Sequence, residues 1–299
     1  MTVSEEPGQV RLNSLLLATD FSSEAEKAGL YAAAIAKRYG SEVRVIHVMD
    51  LTAAFKTPDA GICMDIFRRS GEEKLAGTRA RLASAGVQAE TILQEGLDTA
   101  KGIVRAADEN GVDLIVSGTK GHGALARLAL GSVAEQLIHH AECPVLTTGP
   151  NVKPPGPHGL FQRIVCATDF SAEAAKAARL AFSLTRSGDG RMFLCHVLPR
   201  LDRSRHDKSH PVDEQKLTEQ FQGELQRMIP GIARERCEPE CVVDDGYAAD
   251  GILLLARRVD ADLIVLGTRR SSHWFTSIRA GIAFDVIRAA DCPVLTVRA

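Results

Sequence analysis

Asp113-Leu-Ile-Val-Ser-Gly118-Thr-Lys-Gly121-His-Gly123-Ala-Leu-Ala-Arg-Leu-Ala-Leu-Gly131-Ser132 joins a short apolar run, a glycine-punctuated loop and the start of a helix-like segment. An apolar run this short, closed by a turn signal, reads as a buried strand. Glycines between a strand and a helix form the layout of an anion-binding loop, so the stretch implies a parallel α/β sheet with a phosphate-sized site on its rim. At an offset of 149 residues, Asp262-Leu-Ile-Val-Leu-Gly267-Thr-Arg-Arg270 repeats the strand but loses most of the glycines.

The same offset links Ala18-Thr-Asp20-Phe-Ser22 to Ala167-Thr-Asp169-Phe-Ser171, His47-Val48 to His196-Val197, and Cys143-Pro-Val-Leu-Thr147 to Cys292-Pro-Val-Leu-Thr296. Solenoid units are only about 20 to 50 residues long, so a period of this size is a duplicated domain. A chain of 299 residues accommodates two domains that each bury a core. The expected division is 1–149, a linker over 150–160, and 161–299. Gly149-Pro-Asn-Val-Lys-Pro-Pro-Gly-Pro-His-Gly159 marks the boundary as a stiff, exposed connector.

With 45% apolar, 25% charged and 5% aromatic residues, the chain has the make-up of a soluble globular protein. A net charge of -2 offers no global attraction for nucleic acid. No apolar run approaches the ~20 residues of a membrane span, and Met1-Thr-Val-Ser-Glu-Glu-Pro lacks the parts of a signal peptide. The expected compartment is therefore the cytoplasm, with neither nucleic acid nor membrane as a partner. Seven cysteines with no framework of spacings are expected to be reduced and mostly buried. Cys237 and Cys241 lack a second Cys or His pair to complete a zinc site, and no metal site is expected.

Each half reads β-α-β-α-β-α-β-α-β. In the first, strands are expected over 12–18, 43–48, 87–94, 114–117 and 145–148. Helices are expected from the Ser22-Ser23 start to about residue 38, and over 64–85, 98–110 and 132–141. Ser23 with Glu26, and Ser132 with Glu135, have the spacing of capping boxes, while Asp20 is an alternative cap for the first helix. The fold class is α/β: two tandem doubly wound domains, each a five-stranded parallel sheet with helices on both faces. Such sheets bind ligands at the carboxyl ends of their strands, where Asp20 and Gly118 fall.

Gly118, Gly121 and Gly123 can turn backbone N–H groups toward an anion, and Gly131-Ser132 offers a helix N-terminus to the same charge. The pattern is neither the common nucleoside-triphosphate loop, which needs Gly-Lys before Ser or Thr, nor the dinucleotide fingerprint, because the turn after the first strand has no glycine.

On these residues, Ala18-Thr-Asp20, His47-Val48, Gly118-x2-Gly121-x9-Gly131-Ser132 and Cys143-Pro-Val-Leu, the chain resembles the universal stress protein family as a tandem two-domain member. The resemblance implies a Rossmann-like fold of the adenine nucleotide alpha hydrolase type and a bound ATP, with or without Mg, AMP or another adenine nucleotide being alternatives. It implies that Ala18, Thr19 and Asp20 lie near the adenosine and that Val48 faces the adenine. Ser117, Gly118, Thr119, Gly121, Gly123, Gly131, Ser132 and Val133 would surround ribose and phosphates. It also implies that the last strands of the two halves pair, as they do between subunits of single-domain members, which leaves either a monomer imitating a dimer or a further homodimer. The segment 51–61 is a candidate cover over the site.

In the second half Gly121 becomes Arg270, Gly123 becomes Ser272, Gly131 becomes Ala280 and Ser132 becomes Gly281, whereas Asp169, Val197, Gly267 and Thr268 persist. Nucleotide is therefore expected in the first half only, the second being structural or regulatory. No catalytic residues are assigned. The rival readings are an ATPase or nucleotidyl transferase using the same pocket, and a protein-interaction module that needs no nucleotide; the signalling partner is unknown. His139-His140 reads as a pair interacting with its own helix end, and the charged run 200–210 as a solvated linker.

Overall fold

The computed structural model describes residues 11–51, 60–119, 130–156, 159–185, 188–199, 214–231, 233–269 and 281–298. Gly121, Gly123, most of the 51–61 segment and the 200–210 run lie outside the described residues. The first half runs β1 (Ser14–Ala18), α1 (Ser23–Tyr39), β2 (Glu42–Asp50), α2 (Ala60–Ser84), β3 (Ala89–Gly96), α3 (Thr99–Glu109), β4 (Leu114–Gly118), α4 (Ser132–His140) and β5 (Val145–Thr148). The second runs β6 (Arg163–Ala167), α5 (Ala172–Leu184), β7 (Arg191–Leu198), α6 (Glu214–Met228), α7 (Ala233–Arg236), β8 (Glu238–Asp245), α8 (Ala248–Arg258), β9 (Leu263–Thr268), α9 (Ile282–Ala289) and β10 (Val294–Arg298).

Alternation is therefore as expected, with one addition: the four-residue α7 has no counterpart in the first half. β1 begins at Ser14 rather than residue 12 because the Asp113 carboxylate accepts from the amides of Asn13 and Ser14, at 2.7 and 3.0 Å. Asp262 does the same for Gln162 and Arg163. The aspartate that opens the Asp-Leu-Ile-Val signature is thus a clamp on the neighbouring strand's start.

The strands form one ten-stranded sheet in the order β3-β2-β1-β4-β5-β10-β9-β6-β7-β8. Every neighbouring pair is parallel except β5 with β10, which pair antiparallel through Val294 with Thr147, Leu295 with Leu146 and Thr296 with Val145. Side chains reinforce this seam symmetrically. Thr147 Oγ1 donates to Val294 O and Thr296 Oγ1 to Val145 O, each at 3.2 Å. The two doubly wound halves are joined edge to edge, each covering the strand edge that the other would leave open.

Packing differs between the two faces. On one, α1, α2, α5 and α6 cover a core that continues across the seam, from Leu15, Leu17 and Val116 through Leu146 to Ile164, Val265 and Leu295. On the other, α3 and α4 cover one cluster and α8 and α9 a second, which Ile138 of α4 joins from the first half. Each fully buried Leu or Ile contributes roughly 1.5–3 kcal/mol relative to exposure. α1 reaches this density with small residues, burying Ala25, Ala28, Ala32, Ala33 and Ala36, and ends on Gly40 at φ 70°.

Asn151, Lys153, Pro154, Gly156 and Gly159 of the linker are exposed, but it is anchored at several points. Val152, Leu160 and Phe161 are buried. Tyr31 donates its hydroxyl to Lys153 O at 2.9 Å, Lys27 donates to Pro150 O and Arg38 to Leu160 O. Prolines exclude regular structure but leave carbonyls free to accept, and α1 supplies the donors. The cysteines described, Cys143, Cys166, Cys195, Cys237, Cys241 and Cys292, are all free, with Cys143 and Cys241 only partly buried. Burial pushes the thiol of Cys195 up to about 12. No described helix is long and apolar enough to cross a membrane.

Candidate functional site

The turn that leaves β1 is a closed hydrogen-bonded unit. Thr19 N–H donates to Ile46 O at 3.0 Å, and Thr19 Oγ1 accepts from Phe21 N–H at 3.0 Å. Asp20 Oδ1 accepts from the amide and the hydroxyl of Ser22, at 3.1 and 2.6 Å, and Ser22 Oγ accepts from Ala25 N–H at 3.3 Å. Ser22 is therefore the cap of α1, in place of Ser23 or Asp20. The shift follows from Phe21, whose φ of 66° is an unusual left-handed value for a bulky residue and turns Ser22 into the extended cap conformation. Phe21 is held there by its ring contact with His47, 4.5 Å between centroids, and His47 Nδ1 donates to Thr19 O at 2.9 Å. Burial lowers the His47 pKa below the ordinary imidazole value; the bond to Thr19 and the charge of Asp20 oppose this, and Lys74 adds to it.

The second half repeats the unit bond for bond. Phe170, at φ 62°, donates to Thr168 Oγ1, Asp169 accepts from Ser171 and His196 Nδ1 donates to Thr168 O at 2.7 Å. Its presence where the glycines are gone shows that Thr-Asp-Phe-Ser and the following His build the turn in both copies. Identical residues at the 149-residue offset were the signal for it.

Gly118, at the end of β4, does not adopt the positive φ of an anion nest. A Cβ there would lie 2.9 Å from Ala25 N and 3.0 Å from Glu24 C. At Gly267 the corresponding distances, to Ala174 N and Glu173 C, are 2.5 and 2.6 Å. These glycines let the strand end pass beneath the first turn of the helix, which explains why Gly267 survives when its neighbours do not.

Beyond Gly118 the loop is tied at its base. Thr119 N–H donates to Thr148 O at 3.0 Å, and Thr119 O accepts from Gly131 N–H at 2.8 Å, so the carboxyl end of β4 and the N-terminus of α4 meet. Gly131 is the cap of α4, in extended conformation with φ -69° and ψ 143°, and supplies no side-chain acceptor. Ser132 is the first helical residue, so it forms no capping box with Glu135. Among the described residues the cap gives the first-turn amides of α4 no side-chain acceptor, the condition in which a helix end attracts an anion. Thr119 adds a second polar group: it is 2% exposed, and its Oγ1 has no hydrogen-bond partner among the described residues. Ser117, beside it, donates its hydroxyl to Gly118 O at 3.1 Å.

Ala18, Thr19, Asp20, Ser117, Gly118, Thr119, Gly131, Ser132 and Val133 therefore gather where β1, β4 and α4 meet. Val48 lies deeper. It is 6% exposed, in a cluster with Leu16, Ala18, Ile46 and Ile103, and a Cβ at Gly102 of α3 would stand 3.2 Å from it. Among the described residues no group of three or more His, Cys, Asp or Glu side chains could hold a metal ion. In the second half Arg269 Nη2 lies 3.5 Å from Asp169 Oδ2, so a cation from the chain itself stands at the counterpart of Asp20. Burial raises the Asp169 pKa, but the hydrogen bonds from Ser171 and the charge of Arg269 together bring it below the usual carboxylate range.

The universal stress protein family model matches residues 12–148 and again 160–298. A universal stress protein of Methanocaldococcus jannaschii is 34% identical over 142 residues, covering 46% of this chain and 83% of that protein. A putative universal stress protein of Staphylococcus haemolyticus is 36% identical over 136 residues, covering 44% of this chain and 82% of its own. In three dimensions the whole tandem arrangement is similar to a universal stress protein from Archaeoglobus fulgidus, with a TM-score of 0.73, 24% identity and coverage of 97% and 99% of the two chains. At that identity the likeness is one of fold.

Proposed function

Because the chain belongs to the universal stress protein family, in two tandem copies, we propose that it acts in the stress response by binding one adenine nucleotide, ATP, in its first half. The observation that carries the reading is the bond from Gly131 N–H to Thr119 O, which brings a strand end and an uncapped helix end together around the glycine loop. Phosphate oxygens would accept from the first amides of α4 and from the hydroxyls of Ser132 and Thr119, and Gly121 and Gly123 would admit them to the loop. Thr19 and Asp20 would meet the adenosine, and Val48 would stand behind the base. The second half would take no nucleotide, since Arg269 already neutralises Asp169 and the loop lacks its glycines. ATP bound to the folded state alone stabilises it by RT ln(1 + [L]/Kd), about 2.7 kcal/mol at a hundredfold excess over Kd.

Gly131→Ser tests the phosphate part. The backbone at Gly131 already has the conformation of a serine cap, so the new hydroxyl should satisfy an amide of α4, raise the stability of the free protein by a few tenths of a kcal/mol and weaken ATP binding. Calorimetry on the two proteins reads both effects, and native mass spectrometry of the wild type should show a single retained ATP per chain. No heat and no thermal shift at millimolar ATP would sink the proposal.

A further inference from the structure

Arg298 at the end of β10 and Phe284 on α9 belong to the second half, and both close on α4 of the first. Arg298 Nη1 donates to Ala141 O just beyond α4 at 2.9 Å, and its Nη2 lies 4.0 Å from Glu142. The Phe284 ring packs against His139 at 5.2 Å between centroids. His139 thus lies half-buried at the joint between the halves. Both of its ring nitrogens are shielded from water and neither has a hydrogen-bond partner among the described residues. A neutral ring leaves one donor and one acceptor unsatisfied there, and an imidazolium is worse placed, with two N–H donors and a charge to satisfy.

The surrounding charges do not supply what the cation would need. On α4, Glu135 lies one turn back and favours the charged ring, while His140 stands beside it. From β10, Arg298 opposes the charge. On α9, Asp285 is already paired with Arg288 and accepts from Tyr247. On the α3 side, near His140, Asp98 and Lys101 pair with each other at 3.3 Å. Burial is the largest influence and holds His139 below the ordinary value of 6.5; Glu135 pulls it back and Arg298 adds to the lowering.

We propose that protonation of His139 loosens the joint between the two halves, so that their coupling weakens on acidification. The direction follows from linkage. A histidine depressed in the folded state contributes stability that is fully present above its unfolded value and is lost as pH falls through its folded value. The charge would appear between Phe284 and Arg298, so the loss belongs to α4, α9 and the β5–β10 pair rather than to the far edges of the sheet. The inference is independent of nucleotide and concerns the full chain without ligand.

Thermal unfolding and amide exchange, corrected for intrinsic rates, are to be compared from about pH 7.5 to about pH 5.5 for the wild type, His139→Leu and His140→Gln. The wild type and His140→Gln should lose on the order of 3 °C or more, with exchange rising in 132–148 and 282–298; His139→Leu should lose less. An equal loss in His139→Leu, or exchange that rises evenly over the sheet, would overturn the proposal. Should His139→Leu fail to fold, the wild-type imidazole resonances decide: titration of His139 below 6.5 supports it and titration at or above 6.5 refutes it.

Discussion

Glycine at 118 and glycine at 131 stand in one motif and do different work. At 118 a methyl group would press on the backbone of Ala25 and Glu24, which cannot retreat without shifting α1. Gly118→Ala should therefore destabilise the ligand-free protein by about 1–3 kcal/mol, read as a lower denaturation midpoint. At 131 the φ of -69° is one that any residue adopts, and Gly131→Ala should cost less than about 1 kcal/mol, through poorer capping. Glycine spacing locates the loop but does not separate these roles, because a close backbone approach and an anion nest both require the missing side chain. What separates them is the partner lying beneath, and that is a tertiary fact. Thr119 was legible as a neighbour of the loop, yet nothing in a lone threonine foretells a buried hydroxyl without a partner among the described residues.

Among the elements, the Thr-Asp-Phe-Ser turn and its histidine are a second unit that responds to pH. His47 is depressed by burial, so its stabilisation is present above the ordinary imidazole value and disappears as pH falls through the lower folded value. His47→Gln should flatten that part of the stability profile, measured by urea titration across the acid range, while a wild-type profile unchanged by the substitution would remove His47 from the account. The alternation of strands and helices was readable from periodicity, because a buried parallel sheet demands apolar runs separated by amphipathic helices. α7 was not, since four residues carry no period, and the cap of α1 was misplaced by one residue because the left-handed Phe21 leaves no mark in composition. What composition could not show is how the linker is anchored: proline and glycine announce irregular backbone, whereas its donors, Lys27, Tyr31 and Arg38, lie on α1 more than a hundred residues earlier.

For the whole molecule, the seam is the structural commitment. One face carries a core that continues from Leu146 to Leu295, and the opposite face sends Ile138 into the partner cluster. Cleaving the chain at a protease site introduced within 150–160 should leave the two pieces eluting together on size exclusion, because the linker is not what holds them. Separate elution under native conditions would show that the β5–β10 pair and its cores are too weak to act alone.

The antiparallel sense of β5 and β10 also sets which way the molecule faces. Within each half all strands run the same way, so the rim bearing Gly131 and the rim bearing Asp169 point to opposite ends of the sheet. The Gly131 rim and the Asp169 rim, with Arg269 beside it, are thus on opposite poles of the molecule. The duplicated chain is thus a two-poled body whose rims carry different residues, and the poles are joined by the middle strands, by the core that crosses them and by the contacts of α4 with the second half.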